Sequence, residues 1–310
     1  MPQYFSSQMP LSVSSEAMLL NTSIEETLKN QIPDSAKAES WYSVLVVSFR
    51  RPDRYKLRGN YSRKDERRVP EFTIWLMVGI GGGVPGESSG RSRDVRLGDV
   101  VVSQPASGHG GVIQYDFGKS ISDGFVNTGF LNAPPQILLQ ALTKVQARHL
   151  RGETTLATHL AAIERHRNFR RPSAADVLFK ATYEHVSGET CKNCKGDEVV
   201  DRELREGNGI VVHYGTIASG NRVMKDARER DRVSAKFNGI LCFEMEAAGL
   251  MNSFPCVVIR GIADYADSHK NKNWQPYAAA TAAAYAKEFL SAIPARPIED
   301  EIYVSNTLSQ

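Results

Sequence analysis

The sequence predicts an α/β protein with a largely parallel sheet. Three observations predict it. Apolar runs of strand length alternate with stretches of helical periodicity. Two of these runs end in carboxylates at the junction with the next element: Cys242-Phe243-Glu244-Met245-Glu246-Ala247-Ala248-Gly249 and Val257-Val258-Ile259-Arg260-Gly261-Ile262-Ala263-Asp264. A third run opens into Gly79-Ile80-Gly81-Gly82-Gly83. In open α/β sheets, ligands sit at such strand ends. The 310 residues, 41% hydrophobic and 24% charged, suffice for one large domain or two small ones.

The elements follow in order. Residues 1–40 are rich in Ser, Asn, Gln and Glu, with weak periodicity. They are expected to form a poorly ordered arm with a short helix around 23–30. Residues 44–47 read as a buried strand, and the basic stretch after them as a loop. Residues 72–78 form an apolar strand that enters the glycines. Residues 97–103 and 111–117 read as two more strands. Residues 134–150 carry Ile137, Leu138, Ala141, Leu142 and Val145 at helical spacing, an amphipathic helix. Residues 155–165 continue as helix. A strand is expected over 210–218, with Ser219-Gly220-Asn221 opening a loop or helix. Another strand is expected over 254–262. Residues 277–293 read as an Ala-rich helix whose small side chains allow close packing. No internal repeat is present.

Charge narrows the function classes. The net charge is +3, but residues 50–68 hold nine basic and three acidic side chains, so the remainder sums to −3. That distribution argues against a nucleic-acid-binding fold spread over the chain. The basic segment reads as a solvated loop that could meet phosphate. No run of about 18 apolar residues suggests a membrane helix. Met1-Pro2-Gln3-Tyr4-Phe5-Ser6-Ser7 lacks a charged start and an apolar core, so no signal peptide is expected. Four cysteines do not make a disulfide scaffold. A reducing, cytoplasmic location is expected.

Each motif carries two readings. The glycines after the strand allow close backbone approach and an anion nest, or form a simple tight turn. Their spacing is neither a dinucleotide fingerprint nor a P-loop. If Glu244-Met245-Glu246 is extended, both carboxylates point to one side, ready to accept sugar hydroxyls. Alternatively, they complement a helix dipole. Asp264 ends a strand close to Asp267. Partial desolvation beside another acid would keep it protonated and able to donate, while the plainer reading is a cap or turn. Cys191-Lys192-Asn193-Cys194 is a lone C-x-x-C. Zinc needs four ligands; His185 and His213 are candidates, but nothing in the sequence fixes them. It is read as two loop thiols, with no metal site expected. Cys242 and Cys256 lie in apolar runs and read as core. No nucleophile elbow or Ser-His-Asp order supports acyl transfer.

Residues 72–294 resemble the purine and uridine phosphorylase superfamily, which includes methylthioadenosine/S-adenosylhomocysteine nucleosidases. They are most similar to fungal nucleoside phosphorylase-like domains that often precede nucleotide-binding or repeat modules. Segments 76–85, 95–102, 213–224, 243–252 and 259–272 carry the resemblance. It implies a three-layer αβα sandwich around a mixed, partly barrel-like sheet. It divides the chain into a divergent N-terminal segment 1–70, a domain over 71–295 and a tail over 296–310. It also implies cleavage of a ribosidic bond to a nucleobase. By the same resemblance Gly81 and Gly82 lie beside ribose and nucleophile, Glu246 binds the ribose hydroxyls, and Met245 packs on the sugar. Asp264 serves the base at N7. Val223 and Met224 fall where the family lines the base pocket, often with an aromatic residue, and Trp274 could supply the ring that is missing there.

Two departures shape the functional reading. Hexameric phosphorylases carry a phosphate-binding arginine two residues before the first glycine, where this chain has Met77. Hydrolysis is therefore expected over phosphorolysis. The family's opening strand, turn and water-orienting glutamate have no evident counterpart in residues 1–70. The expected activity is that of a nucleosidase acting on a purine, adenine-type, nucleoside or nucleotide. Asp264 would act as acid, Glu246 as ribose ligand, and Glu244 as support for the water. No metal or redox cofactor is called for, and a homo-oligomer is compatible. Two alternatives stand beside it. One is a non-catalytic nucleoside-sensing or interaction domain in a fungal recognition protein. The other is a phosphorylase, with Arg50 or Arg51 holding phosphate.

Overall fold

The central sheet of the computed structural model is mixed and closes on itself. The structure describes residues 45–49, by their backbone alone, and 74–293, except 87–93, 107, 123, 189, 206–208 and 271. The expectations for residues 1–40, the basic segment 50–68, Arg50, Arg51 and the tail 296–310 lie outside the described residues.

Strand β1 (Leu45–Phe49) pairs antiparallel with β2 (Ile74–Gly83). Then come β3 (Val100–Ser103), β4 (Val112–Gln114) and an exposed hairpin of β5 (Gly118–Ile121) and β6 (Gly124–Asn127). Helices α1 (Gln136–Leu150) and α2 (Leu156–Ile163) follow. A long excursion leads to β7 (Val212–Ser219), α3 (Ala227–Lys236), β8 (Ile240–Glu244), the single-turn α4 (Ala247–Leu250), β9 (Val257–Asp264) and α5 (Gln275–Ala292).

The strand order is β1-β2-β8-β7-β3-β9, and β2 also pairs with β9. That last pairing joins β2, β8, β7, β3 and β9 into a ring. The sheet is thus mixed rather than largely parallel: β3, β7 and β8 run one way, while β2 and β9 are parallel to each other and antiparallel to β3 or β8.

Period-two alternation sorts the strand residues between two cores. Leu76 and Val78 of β2, with Val257 and Ile259 of β9, face α1, α2 and α5. Met77, Val258 and Ile262 face the other way, toward Cys242 and Met251. Arg260 shares the parity of Val258 and Ile262, so an arginine is carried into the apolar interior of the ring. Helix α5 packs close to β9 because Gly261 has no side chain: a Cβ there would collide with the Ala278 carbonyl oxygen. A third apolar cluster brings Met224 and Val233 near α3 against Ile240 and Phe243 of β8. Helix α3 begins at Asp226, whose carboxylate accepts the N–H groups of Arg228 at 2.8 Å and Glu229 at 3.2 Å. Among the described residues, no helix is long and apolar enough to cross a membrane.

Candidate active site

The C-terminal ends of three strands meet at the glycines of β2. Gly82 pairs with Phe243 of β8 on one side and with Asp264 of β9 on the other. The approach is close. A Cβ on Gly82 would lie 2.8 Å from Asp264 Oδ1 and 2.9 Å from Ala266 Cβ. On Gly81 it would meet Cys242 Sγ and, at 2.9 Å, the Phe243 oxygen. Both glycines thus let the carboxylate-bearing strand ends converge.

Beyond Phe243, Glu244 is fully buried. Its carboxylate accepts N–H groups from Glu246 at 3.2 Å and Ala247 at 3.1 Å, closing the turn into α4. It also pairs with Arg260 Nη2, which donates at 3.1 Å to Glu246 Oε2. The two glutamates therefore share one buried guanidinium, a triad of net charge −1. Side-chain exposure separates their roles: 0% for Glu244 and 27% for Glu246. Glu244 is committed to Arg260 and the α4 amides, whereas Glu246 can present oxygen lone pairs to a ligand. Burial raises the Glu246 carboxyl above its ordinary range; Arg260 opposes that and the Glu244 charge adds to it. Met245 between them is half-buried.

Asp264 lies between the two glutamates in enclosure, with 15% of its side chain exposed. Its Oδ1 accepts the Ala266 N–H at 2.8 Å and lies 3.0 Å from Lys270 Nζ. The neighbouring charge is thus a cation, where the sequence suggested Asp267. Asp267 instead turns inward, accepts the His269 N–H at 2.9 Å and is pushed up by burial. Ala266 holds a left-handed backbone at φ 51°, a conformation costly for a residue with a Cβ. The turn is clamped from two directions. Arg230 of α3 donates to the Tyr265 carbonyl at 2.8 Å, and the Tyr265 hydroxyl donates to Asp176 at 2.5 Å.

An apolar wall joins these groups. Val84, Ala266, Met224, Phe243 and Tyr115 form one cluster, with the Tyr115 and Phe243 rings edge to face at 5.3 Å. Met224 lies within it, while Val223 is 43% exposed. Trp274 is not brought there. It is 1% exposed in the core beside α5, edge-on to Tyr277 at 5.9 Å and capped by the Arg171 guanidinium at 5.5 Å. The ring beside Met224 belongs to Phe243 or Tyr115. Met77 is 1% exposed, with its sulfur 3.2 Å from Arg260 Nη2. A cavity of about 950 Å³ lies elsewhere, among α1, α2 and the start of β7. It is lined by neither Glu246 nor Asp264, so the candidate site rests on the side-chain geometry.

Sequence reasoning left two residues without a role. Arg260 is the common partner of both glutamates, and Lys270 faces Asp264. The signal for the first was present: a lone arginine inside Val257-Val258-Ile259 and Ile262-Ala263 demands buried acids.

Residues 76–292 match the phosphorylase superfamily along their whole length. The chain belongs to that superfamily. A nucleotide-binding leucine-rich repeat (NLR)-like protein of Hyaloscypha variabilis is 45% identical over 230 residues, 74% of this chain and 22% of that protein. The 5′-methylthioadenosine/S-adenosylhomocysteine nucleosidase of Bacillus velezensis is 34% identical over 92 residues, 27% of this chain and 40% of that protein. The matches thus span between about a fifth and two-fifths of these curated relatives. Among solved structures, the corresponding nucleosidase of Neisseria meningitidis is 18% identical with a TM-score of 0.40, covering 70% of this chain and 68% of its own. The superfamily match extends across all three strand ends that form the site.

Proposed function

We propose that this chain is a nucleosidase of the phosphorylase superfamily that cleaves the glycosidic bond of a purine, adenine-type, nucleoside or nucleotide. The observation that carries the reading is the pairing of Gly82 with both Phe243 and Asp264, which brings Glu246 and Asp264 to neighbouring strand ends. Glu246 would accept the ribose hydroxyls, held in position by Arg260. Asp264 would deliver a proton to the base nitrogen as the bond breaks through an oxocarbenium-like state; water would then add at the sugar C1′ and return a proton to the Asp264 carboxylate. The Lys270 ammonium would stabilise the carboxylate that the first transfer leaves behind. The Gly81–Gly82 backbone, Met245, Met224 and Phe243 would enclose sugar and base. Glu244 would hold Arg260 and α4 rather than the water. Val223 and Trp274, by their placement, do not enter this scheme.

Hydrolysis is favoured over phosphorolysis because Met77 is apolar and buried, and Arg260 is already paired with two carboxylates. A buried phosphate dianion without a free cation would cost several kcal/mol. The test is release of free base from candidate nucleosides, with and without phosphate, by the chain and by Asp264→Asn. General acid catalysis contributes about 10²–10⁴ in rate. Asp264→Asn should therefore lose about that factor while melting like the parent. An Asp264→Asn chain with full activity would remove the residue from the mechanism. Ribose 1-phosphate formed only with phosphate would make the chain a phosphorylase.

A second reading is favoured by the NLR-like relative at 45% identity. There the same pocket would bind a nucleoside as a signal, without turnover. Saturable binding of a nucleoside by the parent chain, lost in Glu246→Gln and with no base released, would select it.

A further inference from the structure

The excursion between α2 and β7 folds one side chain cluster against the loop that follows β9. His185 Nδ1 lies 3.3 Å from Cys194 Sγ and 3.9 Å from Cys191 Sγ. Ligand atoms of His185, Cys194 and His269 all lie within 4.8 Å of one another. All these residues lie outside the candidate active site.

We propose that His185, Cys191, Cys194 and His269 form a Cys₂His₂ site for a tetrahedral zinc ion. Zn–S bonds of about 2.3 Å and Zn–N bonds of about 2.0–2.1 Å at tetrahedral angles put sulfur and nitrogen about 3.5 Å apart. The two distances from His185 bracket that value. Two thiolates and two imidazoles suit a borderline-soft divalent ion.

The surroundings orient the imidazoles independently. His185 Nε2 lies 2.9 Å from the Gly188 carbonyl, which can take its proton and leaves Nδ1 facing the sulfurs. His269 turns Nδ1 toward Asp267 Oδ2 at 3.7 Å. Its residue exposure is 9%, and its Nε2 is buried without a hydrogen-bond partner. A buried, unpaired imidazole nitrogen is costly unless something accepts its lone pair. A carbonyl or carboxylate behind each ring is the usual outer support of a metal-bound histidine. The His269 ring is stacked on Phe179 at 4.1 Å.

The site also has a mechanical meaning. The His185 N–H already donates to Ser268 Oγ at 3.0 Å. A shared ion would fasten the C-x-x-C segment to residues 267–270, which include Lys270 beside Asp264. His213, the other histidine considered from sequence, is 2.9 Å from Asp99 and takes no part.

The experiment uses the untagged chain, purified under reducing conditions from zinc-supplemented cells. Elemental analysis should find about one zinc per chain. Exchange to Co²⁺ should give intense visible bands of tetrahedral geometry and a thiolate charge-transfer band. Cys191→Ser and Cys194→Ser should lose the bound zinc. Asp267→Asn, which removes the support behind His269, should weaken zinc affinity about 10–100-fold. A wild-type chain without zinc would overturn the proposal, as would a cobalt form without thiolate bands or a folded Cys194→Ser that keeps its zinc. The cobalt spectrum needs no variant, so a substitution that fails to fold does not blunt the test.

Discussion

Replacing Arg260 by Met should be among the most damaging single changes to this fold. The guanidinium is 1% exposed and answers two carboxylates, one of them at 0% exposure. Methionine restores most of the volume but leaves Glu244 and Glu246 facing each other without a cation. Removing one partner of a buried ion pair costs about 3–5 kcal/mol. For a domain of this size, 1 kcal/mol shifts the melting temperature by about 2–4 °C. Arg260→Met should therefore melt roughly 6–20 °C below the parent at pH 7.5. The deficit should depend on pH in a definite direction. Burial and the Glu244 charge raise the Glu246 carboxyl, and Arg260 is what opposes them. Without the arginine that rise is unopposed, so the penalty is full at neutral pH and fades as pH falls toward the unfolded glutamate value of about 4.3. Melts followed by circular dichroism between pH 7.5 and 5 test both points. A melting temperature within about 2 °C of the parent, or a deficit that does not change with pH, would refute the claim that this triad is a buried charge system.

Three further outcomes are expected. Gly82→Ala should cost about 1–3 kcal/mol in a urea titration through overpacking and should lose nucleoside binding, because the new Cβ meets Asp264 and Ala266. The same change at the solvent-facing Gly249 should be tolerated. Asp99 accepts from Arg205 at 2.7 Å and the Arg96 N–H at 2.8 Å and pairs with His213 at 2.9 Å. Burial alone would raise its carboxyl, but these partners win and lower it. Its stability contribution is thus present above the unfolded pKa and lost as pH falls through the lowered folded value. Asp99→Asn should therefore show its largest destabilisation near neutral pH and converge with the parent in acid. Finally, the raised Glu246 carboxyl should make nucleoside binding fall away at a higher pH on acidification than an ordinary glutamate would, since only the carboxylate accepts two hydroxyls. Isothermal titration between pH 5 and 7.5 measures this, and binding that is flat over that range would oppose it.

Much of this was legible because the strands that stop at the candidate site change chemistry abruptly. The apolar runs ending at Glu244 and Asp264, and the glycines at 79–83, mark the ends of β8, β9 and β2. The ring closure was not legible from residue patterns: that β2 joins β9 in parallel and β8 in antiparallel is a long-range fact, and the sheet is mixed where alternation suggested parallel. Helix α3 escaped notice because Ala-Arg-Glu-Arg-Asp-Arg-Val-Ser-Ala-Lys offers few apolar residues to mark a stripe; its Asp226 cap was the usable sign. Trp274 read as a ligand platform because it follows the acid by ten residues, yet the start of α5 carries it into the core. His269 stands 75 residues after Cys194, too far for any local pattern to join them.

The double pairing of Gly82 has a consequence for how the chain is made. Its partners, Phe243 and Asp264, lie 161 and 182 residues later. At ribosomal rates of about 5–20 residues per second, β2 waits roughly 10–40 s after its own synthesis for β9 to appear. During that interval the apolar strand Ile-Trp-Leu-Met-Val can pair on one edge with β1, which precedes it, while its β9-facing edge stays open to a neighbouring nascent chain. Closing loops of this length is slow. Co-translational aggregation should therefore track elongation between β2 and β9, and synonymous changes that slow it there should lower soluble yield without altering a single residue.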